Sequence, residues 1–295
     1  MRSRLVKGLG RLAFAALAAG AGCAASDGAQ DAGQRSATLA QVDVAFTRDV
    51  SGSRLGMHGW FARTRPAAMS RAATLLGVGH DDEIGLDGCV LVDGAAELDR
   101  AFRGEAAADV QLLDAGRVVL RSPSDAIALE RRRYPDLTPE VAGVVYGSSE
   151  GASLAIEPGG VYSLAGDGGE EIGPFITSAM APRAFPSLET PAWRRGADLE
   201  LRWSEAGEVS DPLLLVVSSG GAHALHCRVR DDGAFTVPHA LLDELPLVGA
   251  PATISATRER AAWFTAPGLG NTPGQLTLGL RDVVPLVDAA NNGER

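Results

Sequence analysis

Gly147-Ser148-Ser149-Glu150-Gly151 matches G-x-S-x-G, the spacing of a strand-to-helix turn that presents a nucleophilic serine, and His223, His226 and His239 follow downstream. An elbow of this kind needs a strand before the serine and a helix after it. Val141–Tyr146 reads as the strand, but Ser153–Ile156 alternates like another strand and Pro158-Gly159-Gly160 follows at once. A hairpin loop accounts for every residue here, and a hydrolase using Ser149 with one of the histidines is the less favoured reading. His223 and His226 are three apart, so on a strand they point to opposite faces and do not chelate one metal together; Cys227 faces away from His226 in turn. Zinc-type spacings are missing from the sequence.

His80-Asp81-Asp82-Glu83 with Asp87 is the densest acidic cluster. Asp81, Asp82, Glu83 and Asp87 are candidate calcium ligands, since Ca²⁺ takes six to eight oxygens, but the spacing is not that of an EF-hand loop. A solvated loop is the competing reading. Asp167, Glu170 and Glu171 form a second acidic loop. Arg131-Arg132-Arg133-Tyr134 is the one basic run and reads as an exposed loop. No glycine-rich loop has nucleotide-binding spacing, so no cofactor is expected.

The sequence holds three cysteines. Arg2, Arg4, Lys7 and Arg11 precede the apolar run Leu12–Ala21, and small residues lead into Cys23. That order is a secretory signal, and the run is shorter than the roughly 20 residues a membrane span needs. Gly20-Ala21-Gly22-Cys23 resembles the bacterial lipobox, which implies acylation of Cys23, although Gly20 stands where a branched residue is usual. Cleavage after Ala21 is the alternative. Cys89 and Cys227 either pair in an oxidising compartment or stay as separate buried thiols.

Without residues 1–22, Lys+Arg falls from 27 to 23 against 37 Asp+Glu, a formal charge of −14. This excludes the basic footprint that nucleic acid requires. The 45% hydrophobic content is enough for a substantial core.

The elements that must carry these residues read as mainly β. Val42, Val44 and Phe46 alternate with polar or small neighbours, as do Leu199, Leu201 and Trp203. Further strands are expected at Cys89–Val92, Val110–Leu113, Val118–Arg121, Ala126–Leu129, Val161–Leu164, Leu213–Val217, Ala224–Val229, Ala234–Val237, Ile254–Arg258 and Leu276–Leu280. One or two short helices are expected, near Ala67–Leu76 and after Pro238. Asp231-Asp232-Gly233 reads as a hairpin turn. The expected organisation is a signal peptide over 1–22, a flexible tether over 23–37 and a β-rich N-terminal domain over 38–181. A Pro-rich linker over 182–191 would lead to an immunoglobulin- or fibronectin-like sandwich over 192–288, with a disordered tail over 289–295.

The leader, Val110–Leu120 (VQLLDAGRVVL) and His226–Pro238 (HCRVRDDGAFTVP) resemble uncharacterised two-part envelope lipoproteins of GC-rich bacteria. The resemblance implies location and architecture and carries no activity. The expectation from the sequence is an exported, non-catalytic envelope lipoprotein. It would be held at a membrane through its lipid and would present loops to an envelope protein or polysaccharide; if unlipidated, it would be periplasmic or secreted. A serine hydrolase and a calcium-dependent binding module are the alternatives.

Overall fold

The computed structural model describes residues 36–65, 68–76, 83–94, 110–138, 141–149, 151–204, 212–219, 223–245 and 252–288. The expected signal peptide, the expected tail and all but the last two residues of the expected tether lie outside the described residues. The strands are β1 (Ala37–Asp49), β2 (Gly52–Thr64), β3 (Gly88–Asp93), β4 (Val110–Leu112), β5 (Val118–Arg121) and β6 (Ala126–Ala128). Then come β7 (Glu130–Thr138), β8 (Val141–Gly147), β9 (Val161–Gly166), β10 (Phe175–Met180), β11 (Ala192–Trp193) and β12 (Leu199–Arg202). The series ends with β13 (Leu213–Ser218), β14 (His223–Val229), β15 (Ala234–Val237), β16 (Thr253–Phe264), β17 (Gly274–Pro285) and β18 (Val287–Asp288). Helix α1 (Met69–Leu75) lies between β2 and β3, and α2 (His239–Leu242) follows β15. The protein is therefore mainly β with two short helices among the described residues, as its residue pattern predicts.

One sheet of ten strands organises the rest, in the order β3-β14-β13-β16-β17-β1-β2-β4-β8-β7. Its centre joins distant parts of the chain. β1 runs parallel to β17, with Gln41–Arg48 in register against Gln275–Asp282. Alternation explains the layering. Val42, Val44 and Phe46 of β1 face inward beside Leu276, Leu278 and Leu280 of β17, and all six are buried. A second sheet, β10-β9-β5-β6, supplies Leu120, Tyr162, Leu164 and Phe175 to the same core. Burying each such side chain contributes about 1.5–3 kcal/mol.

Phe175 and Phe264 stack with ring centroids 4.6 Å apart. Each lies opposite a glycine in its own ladder, Phe175 against Gly166 and Phe264 against Gly274. A Cβ at Gly166 would come within 2.2 Å of the Phe175 ring, and one at Gly274 within 2.3 Å of the Phe264 ring. The missing side chains let both rings lie flat on their neighbouring strands.

A second core lies farther along the ten-stranded sheet. Leu213, Leu215 and Val217 of β13, Leu225 and Cys227 of β14, and Ile254 of β16 pack against Leu199, Leu201 and Trp203. Two large apolar cores are thus present, but the expected boundary does not divide the chain. Residues 35–295 form one compact unit, and β16 and β17 serve both cores. Residues 182–191 are not a free connector either. The Leu188 N–H donates to Asp282 at 2.7 Å, the Ala184 carbonyl accepts from Arg258 at 3.1 Å, and Leu188 itself is buried. The expected hairpin at Asp231-Asp232-Gly233 is also corrected. β14 pairs with β13 and β3, while β15 pairs with β12, so this turn carries the chain from one layer to the other.

The reason is a buried ion pair at the seam between the cores. Arg258 faces inward between Ala256 and Ala262, where the apolar rows of the two cores meet. Its Nε and Nη2 donate to the two oxygens of Asp231, at 2.7 and 2.8 Å. Trp203 Nε1 donates to Asp231 Oδ1 at 2.8 Å, and Arg258 Nη2 also donates to the Ser204 carbonyl. Asp231 is drawn inward, so the turn that holds it crosses the sandwich. Beside it, Arg48 Nε donates to Asp282 at 2.8 Å, and the Arg48 guanidinium lies 4.8 Å from the centre of the Phe185 ring.

Asp231→Asn leaves a buried guanidinium without its counter-charge and should lower unfolding stability in urea by about 3–5 kcal/mol. The double variant Arg258→Met/Asp231→Leu should recover part of that loss, because no charge is then left alone. A single variant as stable as the parent chain would show that the pair does not hold the seam.

Candidate functional site

The inner face of the large sheet is taken up by the two cores, so the outer face is where a ligand can meet it. Cross-strand register sets out that face in rows. One row runs Arg228, Leu214, Thr257, Arg281 and Thr47 across β14, β13, β16, β17 and β1. A parallel row runs Ala261, Thr277, Asp43 and His58, and the next runs Trp263, Gln275, Gln41 and Trp60. Between the first two lies a row of Glu259, Gly279, Ala45 and Gly56, three of them small.

A concavity of about 370 Å³ opens on this face, lined among others by Leu214, Arg228, Thr257, Glu259, Gln275 and Thr277. That volume is at the lower end of the range for small-ligand sites, about 300–1,000 Å³. Hydrogen bonds order the face around it. Arg281 Nε donates to Thr257 Oγ1 at 3.0 Å. Gln41 Nε2 reaches both oxygens of Asp43 at 2.9 Å, and Thr277 also hydrogen-bonds that carboxylate. Burial raises the Asp43 carboxyl above its ordinary value of 3.8; the contacts from Gln41 and Thr277 and the nearby His58 offset part of the rise. Over the β2 side of the sheet the outer face is covered, because Trp60, Ala62, Ala72, Val110 and Leu112 form a small third core.

The sequence-derived candidates are not brought together. Ser149 is exposed just beyond β8. The strand expected over Ser153–Ile156 does not form, because residues 152–157 run as irregular chain outside any ladder. No helix follows the serine in that segment either, so the turn lacks the second half of a nucleophile elbow. His223 and His226 lie on β14, six strand steps from β8 through β13, β16, β17, β1 and β2, or about 25–30 Å along the sheet. His239 opens α2, where its N–H donates to Asp198 at 2.8 Å and its Nδ1 lies 2.8 Å from the same oxygen. The His239 N–H, and then its ring, hold the Asp198 carboxyl below the usual carboxylate range. His223 Nδ1 lies 3.7 Å from Asp93.

Of the calcium candidates, Asp81 and Asp82 lie outside the described residues. Glu83 is exposed, and the Asp87 carboxylate is engaged by Arg230, whose Nε donates at 2.8 Å and whose backbone N–H donates at 3.2 Å. Arg230 keeps Asp87 below its ordinary pKa. Among the described residues no group of three or more His, Cys, Asp or Glu is placed to hold a metal ion. In the second acidic loop, Glu171 accepts from Gln111 at 2.9 Å and from the Asp114 N–H at 2.8 Å. The basic run is not a loop: Arg131, Arg132 and Arg133 lie on β7, where Arg131 pairs with Asp114 and Arg132 with Glu130.

Cys89 and Cys227 are bonded to each other. They stand directly opposite in the β3–β14 ladder with Cα atoms 4.0 Å apart, so the bond staples the edge strand β3 to the sheet. Cys23 lies outside the described residues. The outer-face groove is not among the sequence-derived candidates. Its signal was the alternation Thr257, Glu259, Ala261, Trp263, which extends β16 past Arg258, where the expected strand stopped.

No protein-family model matches this chain, and no curated protein matches it.

Two outcomes are expected. A carboxyl raised on folding holds its proton more tightly in the native state. Asp43 therefore contributes stability below the unfolded value near 3.8, and that contribution is lost as pH rises through the folded value. Asp43→Asn should melt at or above the parent chain at pH 7, with the difference vanishing toward about pH 4; the opposite trend in a melting series would contradict the burial effect. Separately, Cys89→Ser/Cys227→Ser opens a loop spanning 138 residues and should cost about 2–5 kcal/mol in chemical unfolding.

Proposed function

We propose that this is a non-catalytic binding protein of the bacterial cell envelope, anchored by a lipid on Cys23. The observation that carries the reading is the Cys89–Cys227 disulfide, which suits an oxidising compartment, in a chain whose first 22 residues have the form of an export signal. The resemblance to two-part envelope lipoproteins supports the same location. A body anchored in this way stands outside the cytoplasm, and the outer face of the ten-stranded sheet is the surface it offers to a partner. The finer likeness of the C-terminal region to an immunoglobulin-type sandwich belongs to this reading too, with Trp203 as its core aromatic.

Intact mass of the native protein from the membrane fraction, measured non-reduced and with thiol alkylation, tests the proposal. The expected species begins at Cys23, carries acyl mass and shows no alkylation of Cys89 or Cys227. A chain beginning at Gly22, or alkylation of both cysteines without reductant, overturns it.

A further inference from the structure

Four tryptophans occur in the chain, and they divide sharply. Trp60, Trp193 and Trp203 are 2%, 7% and 5% exposed, whereas Trp263 is 63% exposed. Leaving an indole in water forgoes the largest burial contribution a side chain can supply. Trp263 sits on the outer face, two residues beyond Ala261, so it is about 7 Å along β16 from the groove. Its cross-strand partner is Gln275, which lines the groove. An open aromatic surface is thus continuous with a polar trough.

We propose that this surface binds a neutral polysaccharide, a deepening that rests on the envelope-binding reading above. A pyranose ring has an apolar C–H face that packs on an indole, and a rim of hydroxyls that both donate and accept. The groove is lined by complementary groups: the Gln275 amide, the Thr277 hydroxyl, the Glu259 carboxylate and the Arg228 guanidinium. The lining is too polar for the dehydrated pocket that anchors a protein hot spot; Pro212, Leu214 and Ala261 are its only apolar side chains that are not fully buried. Charge argues against a polyanion. Arg228 and Arg260 line the groove with Glu259, Arg281 and Asp43 stand in the rows beside it, and the chain without its first 22 residues carries a formal −14.

Trp263 is the one tryptophan open to solvent, so its fluorescence reports on the site. The mature chain is run in native gels containing hydroxyethylcellulose, soluble starch, xylan, glucomannan or glycol chitin, and iodide quenching is measured with each. At least one glycan should retard the protein and shield Trp263 from iodide. Trp263→Ala should weaken retardation at least tenfold, and Gln275→Ala several-fold, with melting temperatures unchanged. No retardation by any of the five, or retardation unaltered by Trp263→Ala, overturns the site. A protein that captures an envelope polypeptide by cross-linking but no glycan sinks this inference and leaves the envelope-binding reading standing; capture of neither sinks both.

Discussion

The buried pair of Arg258 and Asp231 is the constraint on which the arrangement of this protein depends. It lies where the inward row of β16 passes from one apolar core to the other. Two charges taken out of water are stable only when nearly every donor and acceptor finds a partner. Here the partners come from far apart in the chain: Trp203, the Ser204 and Ala184 carbonyls, and Asp231 itself. Satisfying one guanidinium therefore fixes the layer-crossing turn, the proline-rich segment and the strand before it. An apolar residue at position 258 would take this donor from the Ser204 and Ala184 carbonyls and leave Asp231 without its counter-charge.

That seam allows one long sheet to serve two cores. β1, β16 and β17 form its middle, and their inward residues are committed to packing. Their outward residues are free of that task, which is why polar side chains, small residues and one exposed indole are tolerated in rows across the same strands. The disulfide acts at the far edge. β3 is short and pairs on one side with β14, and a covalent link there keeps the edge of the sheet closed without requiring a large apolar contact.

Much of this was legible from residue order. The alternations Val42-Val44-Phe46 and Leu199-Leu201-Trp203 became half-buried strands because period-two patterning leaves one face to bury. β5 formed at Val118–Arg121 as expected. β7 was hidden, because a run of arginines resembles a solvated loop until Asp114 and Glu130 are seen to pair with it. The Asp-Gly turn reads as a hairpin on local grounds, since a local signal cannot report that Asp231 has a buried partner 27 residues away.

Residue order alone was enough for the β class, the inward-facing residues of the principal strands and the acidic balance. Each of these depends on neighbours in the chain or on totals over it. The pairing of β1 with β17, the union of Cys89 with Cys227, the distance of Ser149 from His223 and His226 and the groove beside Trp263 came from the folded arrangement. Those depend on strand order, and strand order is set by long-range register and by the few buried polar groups that tolerate a single arrangement.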